Sequence, residues 1–89
     1  MKPRSSEILQ FPTPFAIRAF GHDQDDFQML VFSIVQRHVP DLSLSAVSNR
    51  PSSGGKYLAV TVRFTATSRR QLDAIYSDLN AHEKIVMVL

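Results

Sequence analysis

The sequence predicts an α+β domain in which one four-stranded antiparallel sheet carries two helices on one face. Two observations carry that expectation. From Tyr57 to Thr67, Leu58, Val60, Val62, Phe64 and Ala66 alternate with Tyr57, Ala59, Thr61, Arg63, Thr65 and Thr67. This is the period-two pattern of a strand with one buried face, and its length places it in the middle of a sheet. In addition, Phe27 to His38 and Leu72 to Leu79 repeat apolar residues at helical spacing. With shorter strand-like stretches on either side, the order reads strand, helix, strand, strand, helix, strand.

Taken in order, residues 1–10 are mostly polar and read as a flexible tail, leaving residues 11–89 as a single domain. Phe11 to Phe15 is held extended by Pro12 and Pro14. It leads into a first strand with Phe15, Ile17 and Ala19 on one face and Ala16, Arg18 and Phe20 on the other. Gly21 is expected to end that strand in a sharp turn. Asp23 can then cap a helix with Asp25 and Asp26 in its first turn. Phe27, Leu30, Val31, Ile34, Val35 and His38 form its apolar stripe, and Pro40 stops it. Met29 and Phe32 fall off the stripe and are expected to face water, where they would suit a partner.

Leu42 to Arg50 reads as a polar edge strand, and Pro51 to Lys56 as the hairpin into the central strand. Ser68 and Gln71 have capping-box spacing. Leu72, Ile75, Tyr76 and Leu79 give the second helix its buried stripe. Lys84 to Leu89 closes the chain as a short apolar strand. Two strand-helix-strand units joined by right-handed crossovers fold in few ways. The simplest is the ferredoxin-like sandwich with strand order 4-1-3-2. Its second sheet face is then bare, carrying Arg18, Phe20, Tyr57, Thr61, Arg63 and Thr65.

At 89 residues, 44% hydrophobic and 20% charged, the composition is that of an ordinary globular domain. The chain contains no cysteine, which excludes disulfides, thiolate metal sites and a cysteine nucleophile. A small domain without staples is expected in the reducing cytoplasm. No signal peptide or membrane span is visible. A net charge of +2 is too small to predict nucleic-acid binding by itself.

Candidate chemistry is sparse. An acylphosphatase-like enzyme would want an arginine-bearing, phosphate-cradling loop after the first strand, whereas Gly21 to Asp26 is acidic. RNA recognition would want more aromatics on the bare face than Phe20 and Tyr57 supply. Gly54-Gly55-Lys56 resembles part of a phosphate loop, but a strand follows it in place of a helix N-terminus. Arg50 and Lys56 beside it read as solvated charges. His22, Asp23, Asp25 and Asp26 read as a helix start and not as a metal site, and no cofactor is indicated. His38 is expected to be satisfied by a backbone carbonyl at the helix end, and His82 falls in a turn. Arg69 and Arg70 oppose the dipole of the second helix. Asp73 can offset Arg69, and one of the two arginines could reach the carboxylate of Leu89.

Several segments carry a resemblance. Ile8-Leu9-Gln10-Phe11-Pro12-Thr13-Pro14-Phe15, Gly21 and Val35-Gln36-Arg37-His38-Val39-Pro40 resemble the YbeD-like family of small bacterial proteins. Pro51-Ser52-Ser53-Gly54-Gly55-Lys56-Tyr57 and Val86-Met87-Val88-Leu89 fit the same pattern. That family is similar in fold to ACT domains, which bind amino acids and regulate metabolic enzymes. The resemblance implies a small-molecule effector near the turn after the first strand, with Gly21, His22 and Asp23 in place to contribute.

The reading that follows is a non-enzymatic regulatory or adaptor module. Its interaction surface would draw on Arg18, Phe20, Met29, Phe32, Arg63, Val86 and Val88, with an unidentified protein partner or a second copy of the chain. The alternative is a pure protein-interaction module acting through the sheet edge or the open face. An acylphosphatase-like enzyme and an RNA binder fit less well.

Overall fold

The computed structural model describes residues 10–24, 26–52 and 54–89. The tail expected at residues 1–10 therefore lies outside the described residues, apart from Gln10. The elements are β1 (Thr13–His22), α1 (Phe27–Gln36), a 3-10 turn (Leu44–Ala46), β2 (Val47–Pro51), β3 (Tyr57–Ala66), α2 (Arg69–Ala81) and β4 (Ile85–Val88). The strands form one sheet in the order β2-β3-β1-β4, the expected 4-1-3-2 read from the other edge.

All the strand pairings are antiparallel. β1 and β3 pair along their full length, from Thr13 opposite Ala66 to His22 opposite Tyr57. β4 joins the other side of β1, with Phe20 opposite Met87 and Gly21 opposite Ile85, so a register shift falls between Phe20 and Gly21. Backbone bonds between Arg18 and Leu89 continue this ladder.

The core lies between the sheet and the helices. Ile17, Ala19, Val60 and Val62 from the central strands meet Val31, Ile34 and Val35 of α1 and Ile75 and Leu79 of α2. Every one of these side chains is fully or nearly fully removed from water, as the alternation along β1 and β3 demands. Tyr76 is half-buried at the border of this core, and desolvation raises its phenol pKa above the ordinary 10.0. The folded state thus favours the neutral phenol. The stability this contributes is complete below the unfolded pKa and lost as pH rises through the folded one. Tyr76→Phe should accordingly lose less stability than the wild type above about pH 10, measured by urea denaturation across the alkaline range.

Five local expectations are corrected. Gly21 does not end β1 in a turn: the strand continues to His22, and Gly21 is buried within it. Asp23 does not cap α1, because the helix starts only at Phe27, after Asp26 at φ 53 and ψ 49. That left-handed residue offers no side-chain cap, and the first turn holds no acid; Asp25 lies outside the described residues. Phe32 is buried at 9% exposure, whereas Met29 is 47% exposed as expected. Gln28, one turn before Phe32 on the same side of α1, is hydrogen-bonded to Asn49 of β2. This flank of α1 therefore faces the β2 side of the molecule and not water.

The second strand begins only at Val47. Ser43 accepts a hydrogen bond from the Ser45 backbone at 3.0 Å, and this local bonding favours the 3-10 turn over a ladder. Finally, His38 Nε2 lies 2.6 Å from the Asp78 carboxylate on α2, a side-chain partner in place of the expected carbonyl. The start of α2 and the Arg69–Asp73 pair are as expected, whereas the pairing of an arginine with the Leu89 carboxylate is not found among the described residues. Ser68 Oγ accepts from the Gln71 backbone at 3.0 Å, and the Gln71 side chain accepts from Thr67 N and donates to the His38 carbonyl. Arg69 pairs with Asp73 at 3.2 Å.

Candidate functional site

Two surfaces emerge from this packing. The first lies where β1 ends. Gly21 has no room for a side chain: a Cβ there would sit 2.6 Å from the Lys84 carbonyl and closer still to the Phe27 ring. Such close approach seats Phe27 against the strand. Beside it opens a cavity of about 300 Å³ lined by His22, Gln24, Phe27, Glu83 and Lys84. His22 is exposed, with its ring 4.8 Å from that of Tyr57. Asp23 is exposed as well, and its backbone N–H donates to the Lys56 carbonyl at 3.4 Å.

Of the three residues placed near an effector, then, His22 lines the cavity, Gly21 shapes it from beneath, and Asp23 stands outside its lining. Gln24, Phe27, Glu83 and Lys84 complete the lining, and no local sequence pattern points to them. Their juxtaposition is made by the sheet, which sets the turn before β4 beside the end of β1. The lining brings together a carboxylate, polar side chains and an aromatic floor, a set suited to a small polar molecule.

The second surface is the bare face of the sheet. No described helix covers it, because α1 and α2 both pack on the opposite side. Across it, Arg18 stands opposite Thr61, which is opposite Ser48, and Phe20 stands opposite Ala59, which is opposite Arg50. Arg63 is one step along from Thr61, opposite Ala16. Arg18, Arg50 and Arg63 are exposed, and Phe20 is half-buried. On the β4 border, Val86, Met87 and Leu89 are exposed by 59%, 47% and 60%. Val88 is half-buried and packs against the core instead of facing outward. Among the described residues no group of three or more histidine, aspartate and glutamate side chains is placed to hold a metal. No described helix is long and apolar enough to cross a membrane.

The fold and these surfaces define a small ferredoxin-like α+β module with one open sheet face. Comparison with known proteins gives the family. A family model described as "Protein of unknown function (DUF493)" matches residues 6–89. A UPF0250 protein of Ralstonia nicotianae is 44% identical over 87 residues, covering 98% of this chain and 89% of the relative. A UPF0250 protein of Chromobacterium violaceum is 42% identical over 89 residues, covering both chains completely. The chain belongs to the DUF493/UPF0250 family of small bacterial proteins, the YbeD-like family that its sequence segments resemble. Protein HP0495 from H. pylori, solved in solution, shares the fold with a TM-score of 0.73 at 13% identity, covering 100% of this chain and 96% of that one.

Proposed function

We propose that this protein is a non-enzymatic regulatory or adaptor module that takes a small polar effector beside Gly21 and meets a partner through its bare sheet face and β4 border. The observation that carries the effector half is the cavity at the end of β1, where His22, Gln24, Glu83 and Lys84 surround the Phe27 ring. The likeness to amino-acid-binding ACT domains supports a small polar molecule as occupant, and the exposed Glu83 gives the lining a carboxylate for a cationic group of that molecule. The partner half is supported by the one-sided layer and by the exposed apolar border of β4, whose outer edge has no strand beside it among the described residues.

A thermal-shift screen of amino acids and related metabolites tests the effector. A ligand present at a hundred times its Kd stabilises the native state by about 2.7 kcal/mol, enough to raise the melting temperature of a domain this small by roughly 10 °C or more. The expected result is a hit whose shift shrinks by at least half in Glu83→Gln. A screen with no hit would remove the metabolite. It would leave the second reading, a pure interaction module, which rests on the exposed Val86, Met87 and Leu89. Strand addition at that edge would also make a homodimer, which sedimentation at several concentrations would detect.

A further inference from the structure

The charges of this molecule are sorted by layer. None of the four strands contains an aspartate or glutamate, while β1, β2 and β3 each contribute one arginine. Those three, Arg18, Arg50 and Arg63, all emerge on the bare face. Asp23, Asp26, Asp41, Asp73, Asp78 and Glu83 lie in helices and connections. The guanidinium groups of Arg18, Arg50 and Arg63 make no ion pair among the described residues, whose two salt bridges are His38–Asp78 and Arg69–Asp73. All three line one open concavity of about 670 Å³, together with Phe20, Ser48 and Thr61.

Three unneutralised guanidiniums around a floor of small hydroxyl-bearing and aliphatic residues call for an anion. The aromatic groups narrow the choice. Phe20 on β1 and Tyr57 on β3 occupy diagonal positions on the two central strands, roughly 7–8 Å apart at the backbone. Tyr57 is 37% exposed and Phe20 half-buried. We infer that the bare face is a platform for single-stranded RNA, with Arg18, Arg50 and Arg63 on successive phosphates and Phe20 and Tyr57 under bases.

Arginine suits this arrangement because its planar fork binds phosphate in two places and stacks on bases. An open concavity of this width suits an extended chain better than a small anion, which would want enclosure. A protein partner would need an apolar centre between the cations. Here Phe20 is half-buried, Tyr57 stands at the end of β3, and the more exposed apolar residues of the sheet, Val86, Met87 and Leu89, lie on the β4 border, away from Arg50 and Arg63. The sequence alone offers few aromatics for this role, and only the register of β2 against β3 puts Arg50 on the same face as Arg18 and Arg63. It rests on the reading that the bare face is a contact surface.

Fluorescence polarisation with a labelled uridine decamer, titrated from 25 to 200 mM salt, provides the test. For three phosphate contacts on a single strand, log K should fall against log salt with a slope of about −2. A variant with Arg18→Gln, Arg50→Gln and Arg63→Gln should lose at least about tenfold in affinity at the lowest salt and show a slope near zero. Phe20→Leu should weaken binding by about fivefold or more with the slope unchanged. Circular-dichroism melts of each variant confirm that the fold is retained. No binding at 25 mM salt, or binding that the triple variant leaves unchanged, overturns the inference. A glutamate decapeptide that binds through the three arginines while the decamer does not would also overturn it, yet leave the bare face as the contact surface. If neither probe depends on the arginines, both readings fall.

Discussion

Phe32→Ala should destabilise the domain by about 3 kcal/mol, whereas Met29→Ala, three residues earlier on the same helix, should change stability by less than about 0.5 kcal/mol. Both residues fall off the apolar stripe of α1, and on a helical wheel they look alike. Their surroundings differ. Phe32 belongs to the core cluster at 9% exposure, while Met29 stays 47% exposed. Truncating a buried phenylalanine removes its transfer free energy and leaves a cavity that the neighbours fill only in part. Urea denaturation of the two variants reads the difference as a shift in midpoint at constant slope. Equal effects in the two variants would show that the flank toward β2 is not packed as described. The outcome also bears on function, since a buried Phe32 leaves the outer face of α1 with Met29 alone as an exposed apolar contact.

Gly21→Ala should cost about 2–3 kcal/mol, through overpacking and not through backbone strain. The added methyl group would meet the Phe27 ring and the Lys84 carbonyl, the latter at 2.6 Å. Phe27 is only 3% exposed and has nowhere to withdraw, and the carbonyl belongs to the turn that leads into β4. Relief would have to come from moving α1 or β4 away from β1, which reshapes the cavity beside His22. Combining Gly21→Ala with Phe27→Leu should therefore cost less than the sum of the two single changes, a coupling that a double-mutant cycle measures. A neutral Gly21→Ala would mean that β1, α1 and β4 do not approach this closely.

The architecture was readable because its strongest signals are local. The alternation from Leu58 to Ala66 assigns both faces of β3, and the ladder to β1 then assigns Ile17 and Ala19 to the core. Ser68 and Gln71 mark the start of α2 correctly for the same reason, since the cap involves residues three apart. The errors arise where distant segments decide. Phe32 is buried by the way α1 sits beside β2, which a helical wheel drawn for one face cannot show.

Asp23 looked like a cap from its spacing, but its backbone bonds to Lys56 across the sheet end and the helix waits for Phe27. Glycine permits a turn at Gly21, whereas the real constraint there is the ring of a residue six positions on. The surfaces divide in the same way. Arg18 and Arg63 follow from strand alternation, but Arg50 joins them only once β2 is registered against β3. Glu83 and Lys84 meet His22 only because β4 returns beside β1.

The claim on which the account turns is that the bare sheet face is the working surface of this module. Amide chemical-shift mapping of the 15N-labelled protein during titration with the uridine decamer tests it most directly. Perturbations concentrated in residues 16–20, 48–50 and 57–63, with α1 and α2 unmoved, are the predicted result. Shifts centred on the helices, or on neither side of the sheet, would contradict it.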